Sequence, residues 1–114
     1  MTDRRWQLRV EDILECMERI HAYTSGMSLD DFRAETRTGD AVERNFAVIG
    51  EAARHRPDDV LAEHPDIPWH LLRGMRDMLV GYFDVSPDAV WRTIEEDLPP
   101  LVPSLQRMLG SARK

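Results

Sequence analysis

Cysteine is almost missing from this 114-residue chain. The single thiol, Cys16, excludes an intrachain disulfide, and on a helical pattern it reads as a small buried hydrophobe in a reducing compartment. Metal-ligand spacing is missing too. There is no His-Glu-x-x-His, and His55 and His64 lie nine residues apart across Pro57, so no metal and no cofactor are expected. No apolar run approaches the ~20 residues that span a bilayer. The opening Met1-Thr2-Asp3-Arg4-Arg5-Trp6 lacks an apolar signal core, so a cytoplasmic chain without membrane contact is expected. Strand alternation with hairpin turns is absent, as are internal repeats and low-complexity tracts.

Excess positive charge is also lacking. A formal charge of −6 argues against a general nucleic-acid-binding module but allows a local basic cleft. Lysine is represented by Lys114 alone, the other fourteen basic residues being arginine. Arginine's forked donors suit phosphate or carboxylate, although a GC-rich genome gives the same bias.

What is present is amphipathic helix. Trp6, Val10, Ile13, Met17 and Ile20 predict a helix over 4–23. Ser28 with Asp31 resembles a capping pair opening a short helix over 29–36. The Thr38-Gly39-Asp40 run predicts a break before a helix over 41–55. That helix has a broad apolar face and small residues at Gly50 and Ala53, which predicts close packing against more than one partner. Arg44 and Glu51, seven apart, fall on one side of it and face either a cleft or water. A short helical turn is expected at 58–63, between prolines. Ser86 and Pro87 suit the cap and first residue of a last helix. Pro99, Pro100 and Pro103 predict a kink or restart near 98–103, and Gly110 an end before a flexible 111–114 tail. The sum is a single all-α domain over 1–114, an up-and-down bundle of four main helices plus short ones.

The stretch 67–85 departs from this pattern. Pro68 suits a first helical turn, and Trp69, Leu72, Met75 and Leu79 form one apolar stripe, with a helix end expected near Gly81. Arg73, Arg76, Asp77 and Tyr82 sit among these apolar neighbours. Arg76 is either a snorkelling surface residue or a held functional cation.

Ile49-Gly50-Glu51-Ala52-Ala53, Ile67-Pro68-Trp69, Met75-Arg76-Asp77, Gly81-Tyr82-Phe83-Asp84-Val85 and the run from Val90 to Pro99 together resemble the HepT-like branch of the HEPN superfamily, over roughly residues 3–110. Members are small helical ribonuclease toxins paired with an MNT-type nucleotidyltransferase antitoxin, in what is termed a type VII toxin–antitoxin system. The resemblance implies metal-independent cleavage of mRNA or tRNA in a cleft between two copies of the chain. It implies that Arg76 holds the scissile phosphate and that Asp77 orients the catalytic groups. Arg73, Glu51 and Arg44 are candidate cleft support by their positions alone, not by the resemblance. Tyr82 matches the tyrosine to which the antitoxin attaches AMP. Read without the family, Tyr82 is an aromatic packed at a helix end, and Asp77 a surface acid paired with Arg73 or Arg76.

One departure matters. The family signature is an arginine followed four to six residues later by histidine and then, one residue on, by tyrosine. Here Val80 runs directly into Gly81 and Tyr82, as if one residue had been deleted. His70, six positions before Arg76, would lie about 120° from it around an ideal α-helix and so does not replace the missing group. The expectation is a preserved fold, with the backbone unwinding at Gly81, and an inactivated site. The competing expectation is a non-catalytic helical module that docks a nucleotidyltransferase or RNA.

Overall fold

The computed structural model describes residues 5–54, 62–78 and 86–112. Among these the regular structure is helical: α1 (Arg5–Thr24), α2 (Leu29–Ala34), α3 (Thr36–Arg54), α4 (Trp69–Gly74), a 3₁₀ turn (Met75–Asp77), α5 (Pro87–Arg92), a π-helical turn (Thr93–Asp97) and α6 (Leu98–Ala112). The all-α reading holds. The turn expected at 58–63 lies mostly outside the described residues.

α1 buries Trp6, Val10, Ile13, Met17 and Ile20, the spacing read from the sequence, with Cys16 between them. Burial pushes the Cys16 thiol above its ordinary value, which suits an inert hydrophobe. α3 packs on α1 with one face and on α4 and the 3₁₀ turn with another, as its broad apolar side implies. α1 also packs against α6, so one continuous core joins Ile13, Phe46, Ile49, Leu72, Met75, Leu105 and their neighbours.

Several boundaries differ from the sequence reading. Thr38-Gly39-Asp40 does not interrupt the chain, because α3 already begins at Thr36. The break falls at Glu35 (φ −101°, ψ 86°), whose N–H reaches back to Asp31 and Phe32. Gly39 stays in the helix, its N–H donating to the Glu35 carbonyl at 3.1 Å. A helical glycine costs about 1 kcal/mol relative to alanine, far less than burying Val42 and Phe46 returns. Helical hydrogen bonding also leaves the central segment earlier than Gly81, with Met78 at φ −91°, ψ 55°. At the C-terminal end, α6 runs through Gly110 to Ala112.

The proline-rich stretch is accommodated in an orderly way. Pro99 and Pro100 fall in the first turn of α6, where missing N–H groups cost least. Just before them the chain widens, and the Leu98 N–H donates to Thr93, five residues back. The two proline rings would crowd the carbonyls of Glu95 and Glu96 in a continuous α-helix, and the wide turn relieves this. Pro103 is carried inside α6.

α2 is closed locally. The Asp31 N–H donates to Ser28 Oγ (3.1 Å), and the Ser28 N–H donates to Asp31 Oδ2 (3.0 Å). It is fastened to α5 by Phe32 on Trp91, ring centroids 5.2 Å apart, and by a bidentate ion pair, with Arg33 Nε donating to Asp88 Oδ1 at 2.9 Å. The hydrogen bonds from Arg33 hold the Asp88 carboxyl below its ordinary value. That carboxyl is deprotonated more readily folded than unfolded, so its contribution to stability is present above the unfolded value and lost as pH falls through the folded one. Asp88→Asn should therefore lower the melting temperature at neutral pH. The gap from the parent should close on titrating below about pH 4, as followed by circular dichroism.

Candidate functional site

The polar residues of the central segment are held by what the apolar ones bury. Trp69, Leu72 and Met75 are in the core, and the Trp69 indole N–H donates to the His64 carbonyl at 3.2 Å. His70, Arg73, Arg76 and Asp77 are thereby turned to the surface. From Gly74 (φ −67°, ψ −17°) and Met75 (φ −61°, ψ −29°) onward the helix tightens to 3₁₀, closed by the Met78 N–H on the Met75 carbonyl (3.1 Å). Two steps at about 120°, into Met75 and into Arg76, instead of about 100°, swing Arg76 back toward His70. Their separation around the axis falls from about 120° to about 80°.

Gly50 sets the depth of the site. A Cβ built there would lie 2.7 Å from both Cβ and N of Arg76 and 3.0 Å from the Arg73 carbonyl oxygen. α3 and the Arg73–Arg76 backbone therefore touch directly, and only glycine permits it. One residue on, Glu51 Oε2 accepts from Arg76 Nη1 (3.3 Å) and from Arg54 Nη1 (3.2 Å). Asp77 reaches Arg76 Nε only at 4.0 Å. The Arg76 and Glu51 side chains remain 43% and 51% exposed, so these pairs orient the guanidinium but add at most about 1 kcal/mol of stability.

Arg76 stands on a ridge between two open grooves. The first, of about 600 Å³, is walled by Asp40, Glu43, Arg44, Val48, Glu51 and Arg76. The second, of about 420 Å³, is walled by Arg54, His70, Arg73, Gly74, Arg76 and Asp77. In the first, three carboxylates face two guanidinium groups. In the second, among the described residues, three guanidinium groups and an imidazole face one carboxylate. Arg44 and Glu51 do share a groove, as their spacing implies, but Arg73 lies in the other. His70 was set aside in the sequence reading because a straight α-helix was assumed, and Arg54 was not singled out there. Gly50 was read as a packing residue, and its place beside Glu51 in the family-like run was the only hint that it shapes the site. Tyr82 and the Val80–Gly81 junction lie outside the described residues. Among the described residues no group of three or more His, Cys, Asp or Glu side chains is placed to hold a metal ion.

The sequence model of the ribonuclease HepT-like family matches residues 13–108, a span that includes α3 and the Arg73–Asp77 segment. The chain belongs to the HepT-like family. A Thermococcus cleftensis protein named "Probable ribonuclease HepT" is 37% identical over 100 residues, covering 87% of this chain and 91% of its own. A Caldanaerobacter subterraneus protein is 32% identical, covering 88% and 90%, and a Methanocaldococcus jannaschii protein is 31% identical, covering 86% and 82%. Both are provisionally named RNases. No solved structure matches the chain.

In this HepT-like chain two glycines of one helix should respond oppositely to alanine. Gly39→Ala meets nothing within 4 Å and should stabilise by about 0.5–1 kcal/mol. Gly50→Ala meets backbone that cannot step aside and should destabilise by about 1–3 kcal/mol despite the same gain in helix propensity. Urea unfolding of both variants checks the pair.

Proposed function

We propose that this chain is the toxin member of a type VII toxin–antitoxin pair, an RNA-cleaving HepT-like protein whose own site has been inactivated. Its ribonuclease family is established by the sequence match. The observation that carries the finer reading is Arg76, which lies in the family-like Met75-Arg76-Asp77 run. Its backbone is pinned against Gly50 while its guanidinium stays accessible.

Metal-independent RNA cleavage needs a base for the ribose 2′-OH, a cation for the pentacoordinate phosphorane and an acid for the leaving oxygen. Arg76 suits the second task, being permanently charged and able to donate two parallel hydrogen bonds to phosphate oxygens. Asp77, adjacent to it, is suited to orienting those groups. In this reading two copies of the chain bring two Arg76 side chains to one cleft, in the cytoplasm. An MNT-type nucleotidyltransferase antitoxin then blocks the cleft by attaching AMP to Tyr82, which adds bulk and negative charge where the RNA backbone must lie. The proton-transfer histidine of the family has no counterpart between Val80 and Gly81. That same gap supports the second reading, a non-catalytic module that docks RNA or a nucleotidyltransferase.

The test is paired expression in bacteria without antitoxin, using this chain and a version with histidine inserted between Val80 and Gly81. Growth arrest and RNA fragmentation are expected only from the repaired chain. Arg76→Ala in the repaired chain should reduce cleavage by about 10²-fold or more. If the repaired chain folds and dimerises yet cuts nothing, the binding-module reading replaces the nuclease one. Cleavage by the unrepaired chain would overturn the assigned mechanism.

A further inference from the structure

Arg76 borders two grooves, and an RNA strand that meets Arg76 must continue into one of them. Family resemblance does not say which. The charges do. Phosphate entering the Asp40–Glu43–Glu51 side would approach three carboxylates with, among the described residues, only Arg44 and Arg76 in compensation. On the other side Arg54 of α3, Arg73 of α4 and Arg76 of the 3₁₀ turn converge, with Asp77 the one carboxylate among the described lining residues. This cationic concentration sits in a chain whose formal charge is −6, so it does not follow from composition. An open groove of one sign attracts its counter-charge locally despite the opposite total.

His70 gives the groove a further feature. The 3₁₀ turn at Met75–Asp77 brings Arg76 round to the side on which His70 and Arg73 already lie, one helical turn apart. The three side chains form a short donor track along the outer face of α4 and the 3₁₀ turn that follows it, and Arg54 stands across from them at the end of α3. Such a track offers N–H donors to successive phosphate oxygens without reading bases, the pattern of backbone-positioning contacts. Among the described residues Arg73 has no ion-pair partner, so its guanidinium is available to an incoming anion.

We propose that the groove lined by Arg54, His70, Arg73 and Arg76 is the track for the single-stranded RNA backbone next to the scissile phosphate, with His70 and Arg73 as its binding residues. The acidic groove on the other side of Arg76 excludes the strand. This assignment rests on the RNA-acting reading above. It requires no cleavage, so the chain retains RNA binding although its signature histidine is missing.

The measurement is fluorescence anisotropy of a labelled single-stranded oligoribonucleotide against the purified full chain, over a range of salt concentrations. Arg73→Ala should weaken binding several-fold and lower the salt slope by about 0.7, the loss of one phosphate contact on a single strand. His70→Ala should also weaken binding several-fold. Arg19→Ala and Arg107→Ala remove the same charge from α1 and α6, outside both grooves, and should change affinity less than twofold. Arg44→Ala, in the acidic groove, should cost clearly less than Arg73→Ala. Melting curves verify that each exposed substitution leaves the fold intact. If Arg44→Ala costs as much as Arg73→Ala, or if the distant controls lose as much as the groove variants, the assignment is wrong. If the histidine-repaired chain cuts RNA while His70→Ala and Arg73→Ala bind like the parent, this proposal falls and the nuclease reading stands. If neither parent nor repaired chain binds or cuts RNA, both fall.

Discussion

The site depends on a backbone contact rather than on a charge. At Gly50 the α3 helix meets the Arg73–Arg76 segment so closely that a single methyl group would collide with main-chain atoms. The contact is flanked by Phe46, Ile49, Leu72 and Met75, all fully buried, so hydrophobic burial presses the two elements together and the missing side chain lets them touch. The ion pairs of Glu51 with Arg54 and Arg76 are half exposed and weak, and they orient what packing has already placed. Such a division of labour suits a nucleic-acid-binding cation. Its root is rigid, and its head remains free to exchange a carboxylate for a phosphate.

Charge is then arranged around that fixed root. An acidic protein gains nothing for RNA from its overall field, and its basic residues must work locally. Among the described residues, the guanidinium groups of Arg54 and Arg73 and the His70 imidazole gather on one side of Arg76, and the carboxylates of Asp40, Glu43 and Glu51 on the other. Glu51 is common to both effects, since it lines the acidic groove while pairing with Arg54 and Arg76 on the ridge and beyond it. A strand of phosphates bound as proposed would meet a directional surface.

Two helical irregularities bracket the described part of this region. The 3₁₀ turn at Met75–Asp77 overwinds the chain and re-aims Arg76, whereas the π turn at Thr93–Asp97 underwinds it just ahead of two prolines. The two come together in space where Thr93 Oγ1 approaches the Met78 sulfur at 3.8 Å, a contact joining the end of the site segment to the last helical layer. Both are departures from regular geometry that the surrounding core holds in place.

Local chemistry was legible in the sequence. The Ser28–Asp31 capping box and the Ser86-Pro87 helix start lie within a few residues of the groups they satisfy, so their partners could be read directly. The apolar stripe of α1 was equally clear because 3.6-residue periodicity is a property of the chain itself. Arg73, Arg76 and Asp77 could be singled out because they stand in a family-like run, and Arg44 and Glu51 because seven residues return a helix nearly to the same side. The start of α3 could not be read, since burial of Val42 and Phe46 overrides the helix-breaking tendency of Gly39. Neither could the division of the polar residues between two grooves. Which way Arg76 points depends on how tightly the backbone winds at Gly74 and Met75, and that winding accompanies the contact with Gly50, some 25 positions earlier. Residue types and local periodicity determined a helical scaffold, and the family-like runs marked it as resembling a ribonuclease family with a cation at Arg76. Only the packing of α3 on α4 decided that His70 and Arg54 share its groove, because side-chain direction on a helix is set by its pitch, and the pitch changes where tertiary contact is closest.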